Sequence, residues 1–352
     1  MTNIMGRDNM FEHNYYGFGP ILKDYLDYHR ISQSDFAKRL GITQKHMNEI
    51  LNNKAEISVE LMLAINLITD IDVDLIWQAE EEKRIYLYLK ENFKDEKELK
   101  EYLKSFSIKE LKDREWLKFK DEKSLIQVCM DLFKFLSIKN FDTFNDYSEQ
   151  TILYKKNSQA DMNKVMLWIK HCDSLIQNID ICKYDKNKFV DLIHDLKILS
   201  LEKFDEDKIV KCLNKYGIYL VIEDTLKGTK IRGCMMVKAD NPVIYLTKLY
   251  KDKASFYFAL YHELGHVKSD YNKAKSKVII DEDEFLEKRA DQFAINTMIN
   301  PSIWDEIIKD KDNILKICEE NNIPVCFATS RLAKEGYIDY TSKLYNNYRE
   351  RI

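Results

Sequence analysis

Proline and glycine are scarce, with Pro 4 and Gly 9 among 352 residues. That scarcity argues against a turn-rich all-β fold, which needs residues that bend the chain at short intervals. The 7 cysteines form no Cys-x-x-Cys pair. An odd, scattered set argues against a disulfide framework and suits reduced, partly buried thiols. No apolar run is long enough for a signal peptide or, without charges, for a membrane span. The chain is therefore expected to be cytoplasmic, with no membrane partner. Excess charge is also missing. A formal net charge of −4 gives the whole chain no electrostatic pull on nucleic acid, so any DNA contact has to come from a local patch.

What remains is 45% hydrophobic and 32% charged, ordinary for a folded protein of two or three domains. Residues 1–18 read as a flexible tail, 19–82 as a run of short helices and 83–200 as a helical connector. Residues 201–352 read as a small α+β domain. The expected class is multidomain, α followed by α+β. In the first domain Pro20 suits the first turn of a helix through Leu26. Ser32 caps a helix over Gln33–Leu40, and Gly41 ends it. Thr43 caps a third through Leu51, Ser58 a fourth through Leu67, and Asp72 starts a fifth through Trp77. In the last domain, strands are expected over 217–222, 231–237 and 243–247, separated by turns at Lys227-Gly228 and Asp240-Asn241-Pro242. Helices are expected at about 253–268, 284–299 and 312–335.

Residues 262–266 read His-Glu-Leu-Gly-His. They fall in a helix whose Phe256, Leu260, Leu264 and Val267 form an inward stripe. Histidines at i and i+4 stand one turn apart on a common face, so both imidazoles can meet one metal ion. Glu263 lies one position round, where it can miss the metal and still act as general base. Zinc needs a further protein ligand and an open position for water. Glu287, 287 − 266 = 21 residues downstream, is the best candidate. Asp291, one turn beyond it, can orient a ligand histidine. Asp270, Asp281, Glu282, Asp283 and Glu284 compete for the ligand position. Zn2+ in such a site acidifies a water and polarises a scissile carbonyl. Tyr337 and Arg331 are the available guesses for a second oxyanion donor.

Residues 33–51 have the layout of a DNA-binding helix-turn-helix. Ile42, Met47 and Ile50 can pack inward, while Gln44, Lys45, His46 and Asn48 face out toward base edges and phosphates. Lys38, Arg39 and Lys54 are candidate phosphate contacts. Residues 20–69 hold six Lys or Arg and six Asp or Glu, 6 − 6 = 0, so charge does not strengthen the case.

These two signatures resemble known families. Pro20 through Gly41-Ile-Thr to Asn48-Glu-Ile-Leu-Asn52 resembles Xre-type helix-turn-helix regulators, and among them HigA-like antitoxins. Phe256 through His266 together with Glu287-x-x-Ala290-Asp291-x-Phe293-Ala294 resembles the ImmA/IrrE metallopeptidases. The segment from Tyr154-Lys-Lys-Asn to Leu167-Trp168-Ile169 is similar to the helical part of such fusions. The resemblance implies a zincin-like fold, with His262, His266 and Glu287 as zinc ligands and Glu263 as base. It also implies an operator DNA partner through residues 32–54 and a protein substrate, such as a repressor or antitoxin. The expected function is a DNA-binding regulator with a zinc-dependent peptidase domain. The alternative is a HigA-like antitoxin or repressor whose zinc domain senses or binds a partner, such as a toxin, without proteolysis. Helix-turn-helix modules commonly pair, which makes a homodimer a state to test.

Overall fold

The computed structural model describes residues 16–93, 95–119, 123–153, 161–229, 231–249, 251–280 and 284–352. Most of the expected tail, the segment from Tyr154 to Asn157, and the competing acids Asp281, Glu282 and Asp283 lie outside these residues. The chain is mostly helical with one small mixed sheet. It divides into two compact units, residues 1–132 and 133–352. Among the described residues no helix is long and apolar enough to cross a membrane.

The first unit begins with helices Phe18–Tyr28, Gln33–Leu40, Gln44–Leu51, Val59–Ile68 and Val73–Asn92. Local chemistry sets their starts. The side chains of Ser32, Thr43, Ser58 and Asp72 each accept a backbone N–H from the first turn they cap, each worth about 1 kcal/mol. Gly41, at φ 70°, takes the left-handed conformation that closes the second helix and turns the chain into the third. Phe18, Leu22, Phe36, Met47, Ile50 and Ile65 meet in one core. The first helix starts at Phe18, with Pro20 in its first turn as expected, and runs on to Tyr28. A proline is tolerated there because those N–H groups have no helical partner.

The fifth helix runs to Asn92, well past the expected end at Trp77. Its continuation is anchored by a buried polar group. Glu80 accepts from the backbone N–H of Phe18 at 3.2 Å and pairs with Lys83 at 3.3 Å, and Lys83 donates to the carbonyl of Ala55 at 3.0 Å. Charges that read as solvated are satisfied internally, which lets Ala79 and Leu89 bury beside them.

The second unit holds the sheet. Its strands are β1 (Ile152–Leu153), β2 (Tyr219–Ile222), β3 (Gly233–Lys238), β4 (Asn241–Leu246) and β5 (Val278–Ile279), in the order β1-β5-β3-β4-β2. β2 runs parallel to β4, and β3 antiparallel to both β4 and β5. The turn between β3 and β4 is Ala239-Asp240, both at positive φ. Asn241 and Pro242, expected in that turn, instead open β4. Pro242 pairs with Val237, and the ladder with β2 starts only at Val243, so its missing N–H costs no sheet bond.

Helix Lys253–Ala274 packs on the sheet with Phe256, Leu260, Leu264 and Val267 all buried. Phe189, Leu192 and Leu196, from helix Phe189–Leu201, belong to the same core. The helix expected over 312–335 is two helices, Ile314–Glu320 and Val325–Lys334. Asn322 at φ 52° and Pro324 separate them. Helix Pro301–Lys309, with Pro301 in its first turn, precedes them.

Candidate metal centre

Two helices build the site. Lys253–Ala274 carries His262, Glu263 and His266, and Glu284–Met298 carries Glu287 and Asp291. Gly265 and Ala290 let the two approach closely. A Cβ on Gly265 would stand 3.1 Å from the Cα of Ala290. The small pair brings Glu287 across to the histidines.

The Nε2 atoms of His262 and His266 are 3.2 Å apart. Glu287 places Oε2 3.2 Å from the first and Oε1 3.4 Å from the second. Donor atoms held about 2.0–2.1 Å from zinc in a tetrahedron stand about 3.3–3.4 Å from one another, so the spacing fits zinc. Among the described residues this is the one group of three or more such side chains whose ligand atoms converge, all within 4.8 Å.

The outer nitrogens settle which atoms face inward. His262 Nδ1 lies 2.9 Å from Asp291 Oδ1, and His266 Nδ1 lies 2.9 Å from Asp270 Oδ2. A carboxylate accepts, so each Nδ1 carries a hydrogen, and each Nε2 presents a lone pair once its own proton is displaced. Two lone pairs and a carboxylate then face one point with no donor among them, an arrangement that favours a cation there.

Without an ion, that second proton is held on each ring. Burial disfavours the charged imidazoles, but Asp291 and Glu287 outweigh it for His262 and raise its pKa to about 10. Asp270 and Glu287 do the same for His266, to about 9. Burial would raise Glu287, yet the two histidines hold it well below the usual carboxylate range. Asp270 is also held down by His266 and Arg289, against its burial.

Glu263 is buried and lines the same cleft as the three ligands. It rests against Gly233 of β3, where a Cβ would fall 2.6 Å from its Oε1. Only a residue without a side chain admits the carboxylate at this distance. Arg232 and Phe258 also line the cleft.

Sequence reasoning missed three contributors. Asp270 ranked as a rival ligand, but it orients His266 from the next turn and pairs with Arg289. Its i+4 spacing from His266 was the available signal. Gly233 and Arg232 reach the site only through the sheet, which spacing does not reveal. Glu284 pairs with Lys288 at 2.7 Å on an exposed face. Arg331 stacks on Trp304 and bonds Glu335, and Tyr337 packs edge-on to Trp304, so neither lines the cleft.

In the first unit Gln44, Lys45 and Asn48 are exposed and His46 is half-buried. Lys38, Arg39 and Lys54 are exposed as well. Glu49 lies 3.9 Å from Lys45 and 3.7 Å from His46, and Asp35 pairs with Arg39 at 2.6 Å. These acids offset part of the positive charge on that face. Met47 and Ile50 are buried, and Ile42 packs against the same core.

Compared with known proteins, the chain matches no protein-family model and no curated protein.

Proposed function

We propose that the second unit is a zinc-dependent peptidase. The observation that carries this reading is the convergence of two imidazole lone pairs and one carboxylate at zinc-like spacing beside a buried glutamate. His262, His266 and Glu287 would hold the ion. Zinc in such a donor set supplies an acidified water and an electrophile for a carbonyl.

The remaining work falls to the protein. Glu263 takes a proton from the attacking water at its carboxylate and returns it to the leaving amine nitrogen. Gly233 fixes where that carboxylate stands. Asp291 and Asp270 keep both histidines in the tautomer that faces inward. The peptide bond is the target expected from the resemblance of this histidine pair and its acids to the ImmA/IrrE metallopeptidases. A Glu263→Gln variant should retain zinc and lose cleavage of a protein or peptide substrate. Equal cleavage by variant and parent would overturn the mechanism.

A DNA-binding role for the first unit has its own support. Two side-chain-capped helices meet at a left-handed glycine, and the second presents Gln44, Lys45 and Asn48 to solvent. Under this reading the protein is a regulator whose peptidase acts on a regulatory protein. Asn48→Ala should weaken retention of the protein's own promoter fragment at ~150 mM salt, where phosphate contacts alone bind weakly. An antitoxin or repressor that uses its metal domain only to bind a partner would keep that retention and show no Glu263-dependent cleavage.

A further inference from the structure

Arg232 stands apart from the other charged groups around the metal centre. It lines the cleft and is exposed. Arg289, Arg331 and Arg349 each pair with a carboxylate. The Arg232 side chain has no ion pair and no hydrogen bond among the described residues. Two of the cleft's acids are engaged by its histidines, Glu287 by both and Asp291 by His262.

Its backbone is held firmly. The carbonyl of Arg232 accepts from the N–H of Thr247 at 3.0 Å, and the next residue is Gly233, which abuts Glu263. Arg232 is thus tethered beside the glycine that abuts the base. A second cation lies beside a residue of the same cleft. Lys334, exposed at the end of its helix, sits with Nζ 4.2 Å from the ring centre of Phe258, another cleft residue.

We propose that Arg232, supported by Lys334, selects substrates that carry an aspartate or glutamate side chain next to the peptide bond offered to Glu263. This rests on the peptidase reading above. A guanidinium matches a carboxylate with two parallel N–H donors, which makes arginine the natural reader of that group. Its exposure fits a side-chain subsite. A group that stabilises an oxyanion works in a water-excluded position instead.

The test uses the full-length, zinc-loaded protein and a synthetic library of random dodecapeptides. Immobilised Glu263→Gln protein is panned against the library, and the parent is assayed for cleavage of the same peptides, both read by mass spectrometry. Asp or Glu should be enriched at one position roughly tenfold, the size of one charge-assisted hydrogen bond. Arg232→Glu in either background should reverse that preference toward Lys or Arg, with zinc content and melting temperature unchanged. In cleavage, Arg232→Ala should raise KM for acidic peptides and leave kcat near the parent value.

Acidic enrichment on the Glu263→Gln protein without cleavage by the parent would overturn the peptidase reading and keep the subsite. Cleavage or retention without acidic preference, or a preference that Arg232→Glu leaves unchanged, would overturn the subsite alone. A fall in kcat on every peptide would also overturn it, because it would place Arg232 in the chemistry. No retention and no cleavage would overturn both.

Discussion

Gly233 lies so close to Glu263 that any Cβ there would overlap the carboxylate, at 2.6 Å from Oε1. The strand thus acts as a stop for the base, and its position is set by the absence of a side chain.

Replacing Gly233 by alanine should therefore displace Glu263 without touching a metal ligand. Zinc content should stay at the parent level, while kcat should fall by up to about a hundredfold, the scale of an ångström's misplacement of a reacting group. Metal analysis and steady-state kinetics on the same preparation check it. A variant with parental kcat would show that the contact has no bearing on the base.

Asp270 touches no bound ion, yet it fixes the tautomer of His266. Asp270→Asn should weaken zinc binding by about 10–100-fold, measured by competition with a chromogenic chelator. Asp291→Asn should act in the same direction through His262. Unchanged affinity in both variants would remove the orienting role assigned to these acids.

Without metal, His262 and His266 have pKa values raised to about 10 and about 9, against an ordinary 6.5. A raised folded-state pKa stabilises the metal-free fold fully below the unfolded value near 6.5. That contribution is lost as pH rises through 9 to 10. Zinc competes with the same protons, so its apparent affinity should rise across that window, and binding at pH 7 should release at least one proton. Calorimetry in two buffers of different ionisation enthalpy reads the count. Zero proton release would contradict the assigned ligands.

Cys182 is exposed, whereas Cys129, Cys172, Cys212, Cys234, Cys318 and Cys326 are buried. Burial pushes the Cys129 thiol to about 12 and Cys212 and Cys318 to about 11. A thiol-exchange reagent at pH 8 should modify one thiol in the native protein and all of them after denaturation. Rapid native modification of a second thiol would show that the unit holding it opens readily, the first unit for Cys129 and the second for the other buried thiols.

Much of this was legible because the governing chemistry is local. Ser32, Thr43, Ser58 and Asp72 announce helix starts by their own hydroxyl or carboxylate oxygens, and Gly41 announces a stop by its conformational freedom. The histidine pair is equally local, one helical turn apart. What escaped depends on tertiary context. Pro242 reads as a turn residue until the ladder shows that its missing N–H faces no partner. The helix beyond Trp77 reads as solvated until Phe18 and Ala55 satisfy Glu80 and Lys83. Gly233 acquires meaning only when β3 is laid against Glu263. The break at Asn322 and Pro324 was readable in the sequence, but the long helical periodicity over 312–335 hid it.

The three proposed ligands come from two helices that already meet at Gly265 and Ala290 and through the Asp270–Arg289 and His262–Asp291 pairs. An ion held between them would act as a clasp and favour the folded form by mass action, more strongly as free zinc rises. Zinc supply would then govern how long the protein survives in a cell. Scarcity of the metal would then register in abundance as well as in activity, through proteolysis of metal-free chains.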